Sequence, residues 1–508
     1  MTDPLSLDGR SLSLADLVAV ARQGRAVVLD PRAHAAITST RGAVERAVAQ
    51  NRPVYGVTTG FGGLSEQTIP SGKSRELQRS LVRSHASGTG APLAPDLVRA
   101  LILLRANSLA RGHSGVRPVV VERLLDLLNH GLIPWIPEQG SVGASGDLAP
   151  LAHLAYALIG EGSFFTDTGA VEPAADTLRR AGLAPLDLAE KEGVALLNGT
   201  ALMSAYLALA VEDWRALVDA ALVAAAMSLD ALEGNPESLD DRLGEIRNSP
   251  EQRRVAARLR TLLAGSALVV PRAAWAGQDP YTLRCLPQVL AAVESALAFA
   301  GGIVERELNA VTDNPVVFEP DEFVSGGNFH GQTLALALDT LAIAAQYVAG
   351  FSERRISRLL HPALNRGLPA FLAPDPGATS GFMVPQYLAA ALVNENQSLV
   401  HPASAASLPT SADQEDYVSM GPWAGAKLRR MLENTRRVVA VEWIVAGQAL
   451  ELRRPKIGGR GSEAGLRSLR TRVAPWTEDR SPAADIDRVS SALASGALLA
   501  DVRRDVPF

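Results

Sequence analysis

The chain has 508 residues, long enough for large buried cores and, by length alone, for several domains. Charged residues make up 20% and hydrophobic residues 47%, ordinary for a soluble globular protein, and a net charge of −5 gives no reason to expect nucleic acid or an acidic membrane as partner. Cys285 is the single cysteine, which excludes an internal disulfide and a cysteine-based metal cluster.

Met1-Thr2-Asp3-Pro4 is acidic and lacks an apolar signal core, so a cytoplasmic location is the default expectation. Gly and Pro then cluster at 52–63, 86–95 and 133–150, which predicts ordered loops over a helical scaffold. Between them, Leu97, Leu101 and Leu104 form an i, i+4, i+7 stripe. Leu148 to Ile159 reads as a helix with Asp147 as its N-cap. Ala/Leu-rich stretches recur at 191–232, 283–311, 331–360 and 423–452, the third carrying the stripe Leu334, Leu338, Leu341. Such helices, apolar on most faces, belong inside a bundle or between subunits. The uncharged run Val194 to Val211 contains Asn198, Gly199, Thr200 and Ser204, so it reads as a buried segment rather than a membrane span. Few β-branched alternating runs occur, so strands are expected to be short and peripheral. Arg453 to Gly465 reads as a solvated surface loop before a C-terminal helical extension. The expected fold is mainly α: a loop-rich N-terminal region over 1–195, then a long-helix bundle with its extension over 196–508.

The most informative run is Ser141-Val142-Gly143-Ala144-Ser145-Gly146-Asp147-Leu148-Ala149-Pro150. Without a Cβ, Gly146 can bring its amide nitrogen onto the carbonyl carbon of Ala144. Ring closure with loss of two waters leaves Ser145 as an exocyclic methylene. The product, a 4-methylidene-imidazol-5-one (MIO), is a carbon electrophile of a kind no ordinary side chain supplies. A bare Ala-Ser-Gly is usually only a turn; the full string is far more specific.

Further strings accompany it. Tyr55-Gly56-Val57-Thr58-Thr59-Gly60-Phe61-Gly62-Gly63 is a Gly-rich loop without a phosphate-binding spacing. Asn198 sits in Leu196-Leu197-Asn198-Gly199-Thr200, a turn pair inside an apolar run. Gln278-Asp279-Pro280-Tyr281-Thr282-Leu283-Arg284 offers a guanidinium able to grip a carboxylate with two parallel hydrogen bonds. Thr312-Asp313-Asn314-Pro315, Gly327-Asn328-Phe329-His330-Gly331-Gln332 and Gln414-Glu415-Asp416-Tyr417 complete the set.

Together these strings resemble the aromatic amino acid ammonia-lyase and aminomutase family over about Val54 to Leu452. The resemblance implies a fumarase/aspartase-like helical fold, a homotetramer, and an MIO formed from Ala144-Ser145-Gly146, with no external cofactor and no metal. It casts Tyr55 as the base for the β-proton, a role in which a phenol needs help near neutral pH. Asn198 falls beside the MIO, Arg284 on the substrate carboxylate, and Phe329 on the wall of the site, with His330 structural. Gln278 joins the substrate-binding set, and Tyr281 reaches the site from a different subunit than Tyr55.

Ring recognition falls to His85, in a Ser84-His85 pair, and to Glu415, which stands where histidine-using members carry Glu. Each can hydrogen-bond an imidazole nitrogen, whereas a phenyl ring would leave both unpaired at roughly 1–3 kcal/mol apiece. The expected reaction is therefore elimination of ammonia from L-histidine to give trans-urocanate. Tyrosine or phenylalanine lyase and 2,3-aminomutase activities are the alternatives. Two departures bear on this. Tyr417 stands where histidine-using members usually have His, and Arg247-Asn248-Ser249-Pro250-Glu251-Gln252 matches their corresponding string only loosely.

Overall fold

A computed structural model describes residues 3–64, 66–166, 168–269 and 278–508. The chain divides into two compact units. The first takes in 1–209, 301–339 and 402–426; the second takes in 210–300, 340–401 and 427–508.

In the first unit, helices α1 (Ser74–His85), α2 (Pro95–Ala110), α3 (Ala149–Leu158) and α4 (Glu192–Leu197) form the support for the loops. Pro95 opens α2, where its missing N–H costs nothing. Residues Leu97, Leu101 and Leu104 are all buried, and so is every other α2 side chain from Ala100 to Ala110. Arg105 and Asn107 are thus enclosed with the leucines, which obliges both to find internal partners.

The stretch expected to be helical over 191–232 breaks in two. Asn198 leaves α4 with φ −81 and ψ 124, and α5 starts at Ala201 (Ala201–Ala231). The other apolar stretches form α6 (Leu286–Glu307), α7 (Gln332–Leu360) and α8 (Gly421–Leu452). Leu334, Leu338 and Leu341 are buried on α7. By length and composition α6 and α7 could cross a membrane, but their most apolar windows are 44% and 61% buried within the chain.

Strands are short and paired two by two among the described residues. Leu5–Leu7 (β1) runs parallel to Val27–Leu29 (β2), and Thr89–Pro92 (β3) antiparallel to Pro137–Gln139 (β4). Two further antiparallel pairs join Ser163–Phe165 to Val171–Pro173 and Val316–Phe318 to Glu322–Val324.

Two local expectations are corrected. Asp147 does not cap α3, whose N-cap position is Leu148 at φ 43. The Asp147 carboxylate instead accepts from the N–H groups of Leu202 (2.5 Å) and Met203 (3.3 Å), in the first turn of α5. It caps a helix distant in sequence, and that tertiary bond outcompetes the local one. The segment from Arg453 to Gly465 is not all loop: a helix runs over Arg460–Arg470. Its Gly458, Gly459 and Gly461 are buried, and Gly459 N–H donates to Asp230 at 2.8 Å. Small residues there permit close backbone approach rather than solvation.

Candidate active site

The Ala144-Ser145-Gly146 run is held by the turn between α4 and α5. Gly199 N–H donates to Ser145 O at 3.2 Å, and Asp147 N–H donates to Gly199 O at 2.7 Å. A Cβ on Gly146, at φ +82, would lie inside the contact radius of Gly199 O, so only glycine fits. Ser145 (φ +49) and Leu148 (φ +43) also adopt left-handed backbone, strained for residues with a Cβ. The tripeptide is buried except at Ser145, which is partly open.

Ser145 faces a cavity of about 660 Å³. Tyr55, His85, Asn198 and Glu415 line the same cavity, as do Ser411 and Ala412. Five predicted site residues from five separate segments therefore meet in one place. Ser145 Oγ donates to Glu415 Oε1 at 3.4 Å, and Thr410 Oγ1 donates to Glu415 Oε2 at 3.0 Å. Tyr55 Oη accepts from Gly62 N–H at 3.2 Å, and its ring meets Phe61 edge-on with centroids 6.4 Å apart.

His85 Nδ1 lies 2.9 Å from the Leu81 carbonyl. That oxygen only accepts, so Nδ1 donates and Nε2 is bare in the neutral ring. Burial holds the His85 pKa below its ordinary 6.5, against the opposing pull of the Leu81 carbonyl and the Glu415 charge. Asp147, next to Gly146 in the chain, is fully enclosed, and desolvation pushes its carboxyl up to about 7.

Gln278, Tyr281, Arg284 and Phe329 do not line the cavity within one chain. Tyr281, at 66% exposed, and Arg284 share a helical turn, Tyr281–Arg284. The Arg284 Cζ sits 4.7 Å from the Tyr281 ring centroid, and its Nε donates to the Asp279 carbonyl at 2.8 Å. Asp279 is in turn paired with Arg366 at 2.6 Å, so the turn is anchored. Gln278 is exposed and Phe329 half-buried. Tyr417 also stays off the cavity; its ring, 56% exposed, stacks on His330 at 6.5 Å, and His330 Nε2 meets the Tyr417 carbonyl at 3.1 Å.

Sequence reasoning picked out Glu415 but missed the stretch 410–413 that leads into it. Ser411, Ala412 and Asp413 take left-handed φ of 53, 54 and 64 in succession, and Gly63 N–H donates to Ser411 Oγ at 3.2 Å. Nothing in its composition signals this. Arg105 and Lys191 were also missed, although a lone cation inside or bordering an apolar run is a readable sign of a buried partner. Arg105 donates to the carbonyls of Asn198 (2.5 Å) and Ala195, and Lys191 pairs with Asp313 at 2.8 Å.

Comparison with known proteins accords with this geometry. The aromatic amino acid lyase family matches residues 12–471. Histidine ammonia-lyase of Symbiobacterium thermophilum is 48% identical over 495 residues, covering 97% of each chain. That of Sorangium cellulosum is 48% identical over 98% of this chain and 99% of its own. Among solved structures, tyrosine aminomutase from Streptomyces globisporus superposes with a TM-score of 0.94 at 37% identity, covering 100% of this chain and 99% of its own. Histidine ammonia-lyase from Trypanosoma cruzi gives 0.92 at 41% identity, over 99% and 96%. The chain belongs to the aromatic amino acid lyase family, and its mainly helical fold is that of the family.

Proposed function

We propose that this chain is a histidine ammonia-lyase: it eliminates ammonia from L-histidine, giving trans-urocanate. The observation that carries the reading is the meeting of Ser145, His85 and Glu415 at one cavity, with Glu415 Oε1 on the Ser145 hydroxyl. The relatives bearing that name match nearly the full chain.

The residues fit a backbone-derived cofactor. Gly146 has no space for a Cβ, and Ser145 is already in left-handed backbone beside it. Cyclised Ala144-Ser145-Gly146 supplies the electrophile that turns the amino group into a leaving group. In the uncyclised chain the Ser145 hydroxyl occupies Glu415 Oε1. Loss of that hydroxyl with the waters of ring closure frees the oxygen to accept from an imidazole N–H. The bare Nε2 of His85 offers a second acceptor, used when the substrate ring is an imidazolium with two N–H donors. Tyr55, held by the Gly62 N–H, takes the β-proton. Asn198 holds the amino-acid end of the substrate at the cavity wall.

Gln278, Tyr281, Arg284 and Phe329 complete the site from neighbouring subunits of a homotetramer, with Arg284 on the carboxylate. The apolar residues left open on long helices, among them Phe299, Leu336, Tyr347, Val384, Tyr387 and Trp423, supply the contacts between copies. On this reading α6 and α7 are packed helices of a cytoplasmic enzyme rather than membrane spans. Among the described residues no group of three or more His, Cys, Asp or Glu is arranged to hold a metal ion, and none is assigned a role.

Intact-mass analysis tests the cofactor. Wild type is expected to weigh less than its sequence by two waters, and Ser145→Ala to lose both that deficit and most activity. Full activity from an unmodified tripeptide would refute the proposal.

A further inference from the structure

Asn198 is gripped at every backbone and side-chain nitrogen. Its N–H donates to Val194 O at 2.9 Å, and its Nδ2 donates to the Asn314 carbonyl at 2.8 Å. Its carbonyl accepts from Arg105 Nη1 at 2.5 Å. Asn314 is fixed in its own right: its N–H donates to Asp313 Oδ1 at 2.7 Å, and its Oδ1 accepts from Gly326 N–H at 2.8 Å. Asp313 Oδ2 is taken by Lys191 Nζ at 2.8 Å, with both side chains at 0% exposure.

The two Asp313 oxygens therefore point in different directions. One meets the ammonium of Lys191; the other meets the amide of the residue whose carbonyl sets the Asn198 side chain. We propose that Lys191 is a positioning residue for the amino-acid site, acting on Asn198 through Asp313 and Asn314. The proposal rests on the reading of Asn198 as the amide beside the bound amino acid.

The chemistry favours this over a purely stabilising pair. Two charges drawn wholly out of water regain little net stability against apolar replacements. Lys191 also sits at φ +71, a backbone cost for a residue with a Cβ, at the entry to α4. Burial pulls its pKa down, and the Asp313 contact opposes that fall. Fixing both ends of Asp313 removes rotamer freedom from the peptide that holds Asn198, as partners behind a reacting group do.

A double-mutant cycle is the test. Lys191→Met with Asp313→Asn removes both charges of the pair together, leaving Asp147 as the buried counter-charge of Arg105, and the new amide oxygen can still accept from Asn314 N–H. Catalytic efficiency is expected to fall roughly tenfold or more, with the two-water mass deficit retained. The same cycle is run on substrate binding by calorimetry in a Ser145→Ala background, where substrate is not consumed. There the pair of substitutions is expected to weaken binding when Asn198 is present, and to add less than about twofold once Asn198→Ala is made. Equal losses with and without Asn198, or wild-type kinetics in the neutral pair, would overturn the proposal. Should the neutral pair fail to fold, Lys191→Arg keeps the charge, displaces the donor and is read by the same cycle. The amino acid used is whichever of histidine, tyrosine and phenylalanine the wild type consumes fastest. A wrong substrate assignment and a wrong role for Lys191 then give different results.

Discussion

At the scale of single residues, the proposed recognition of the substrate ring rests on two acceptors, Glu415 and His85 Nε2. Glu415→Gln keeps shape and removes charge, so histidine turnover should fall by about 1.5–3 kcal/mol, the worth of a charge-assisted hydrogen bond. Phenylalanine should gain little, because the amide still has to be desolvated; a large gain, seen in kcat/KM for both substrates, would remove Glu415 from ring recognition. His85 gives a pH signature. Its folded pKa lies below the ordinary 6.5, so the unfolded chain takes up this proton first. The stability it contributes is present above 6.5 and declines as pH falls through the folded value. Activity should decline on the same acid limb, as Nε2 ceases to accept. The substrate imidazole titrates too, so the comparison is with His85→Asn, whose acid limb should be flatter; an unchanged limb would assign it to substrate alone. The identities of these residues were legible in the sequence. Their partners were not: the Leu81 carbonyl that sets the His85 tautomer and the Thr410 hydroxyl on Glu415 depend on backbone geometry.

At the scale of elements, the decisive junction is the one between the Ser145 loop and the break at Asn198–Gly199. The apolar pattern of 191–232 showed buried helix and the Asn198-Gly199 pair marked a turn within it, but the partners that hold the break were not legible. Two side chains enforce the break: Arg105, bonded to the carbonyls of Ala195 and Asn198, and Asp147, capping α5. Both act across long sequence separations, which periodicity does not read. Asp147→Asn offers one acceptor oxygen where the carboxylate offers two, so it should cost about 1 kcal/mol of stability. Its pH dependence has a defined sign. The unfolded carboxyl ionises near 3.8 and the folded one near 7, so the folded chain holds more protons between them. Stability from this group is fullest below 3.8 and is lost as pH rises through about 7. Urea melts at about pH 5 and pH 8 should show that slope in wild type and a smaller one in Asp147→Asn; equal slopes would contradict a buried, reluctantly ionised Asp147.

At the scale of the whole molecule, the sequence motifs fall into those that share one cavity within the chain and those that do not. Tyr55, His85, Ser145, Asn198 and Glu415 belong to the first group; Gln278, Tyr281, Arg284 and Phe329 to the second. If neighbouring copies supply the second group, two inactive variants should complement each other. Co-expressed Tyr55→Phe and Arg284→Lys chains should form mixed tetramers with measurable activity, since some sites then draw an intact residue from each. Activity no higher than that of either variant alone would place both residues in one subunit's contribution. Light scattering on the same preparations should give the mass of four chains. The central claim, that the enzyme removes ammonia from histidine, is tested most directly by wild-type turnover of histidine, tyrosine and phenylalanine at equal concentration, with the product identified by its ultraviolet spectrum. Fastest consumption of histidine, yielding free ammonia and trans-urocanate, is the predicted result; faster consumption of tyrosine or phenylalanine, or release of a β-amino acid, would contradict it.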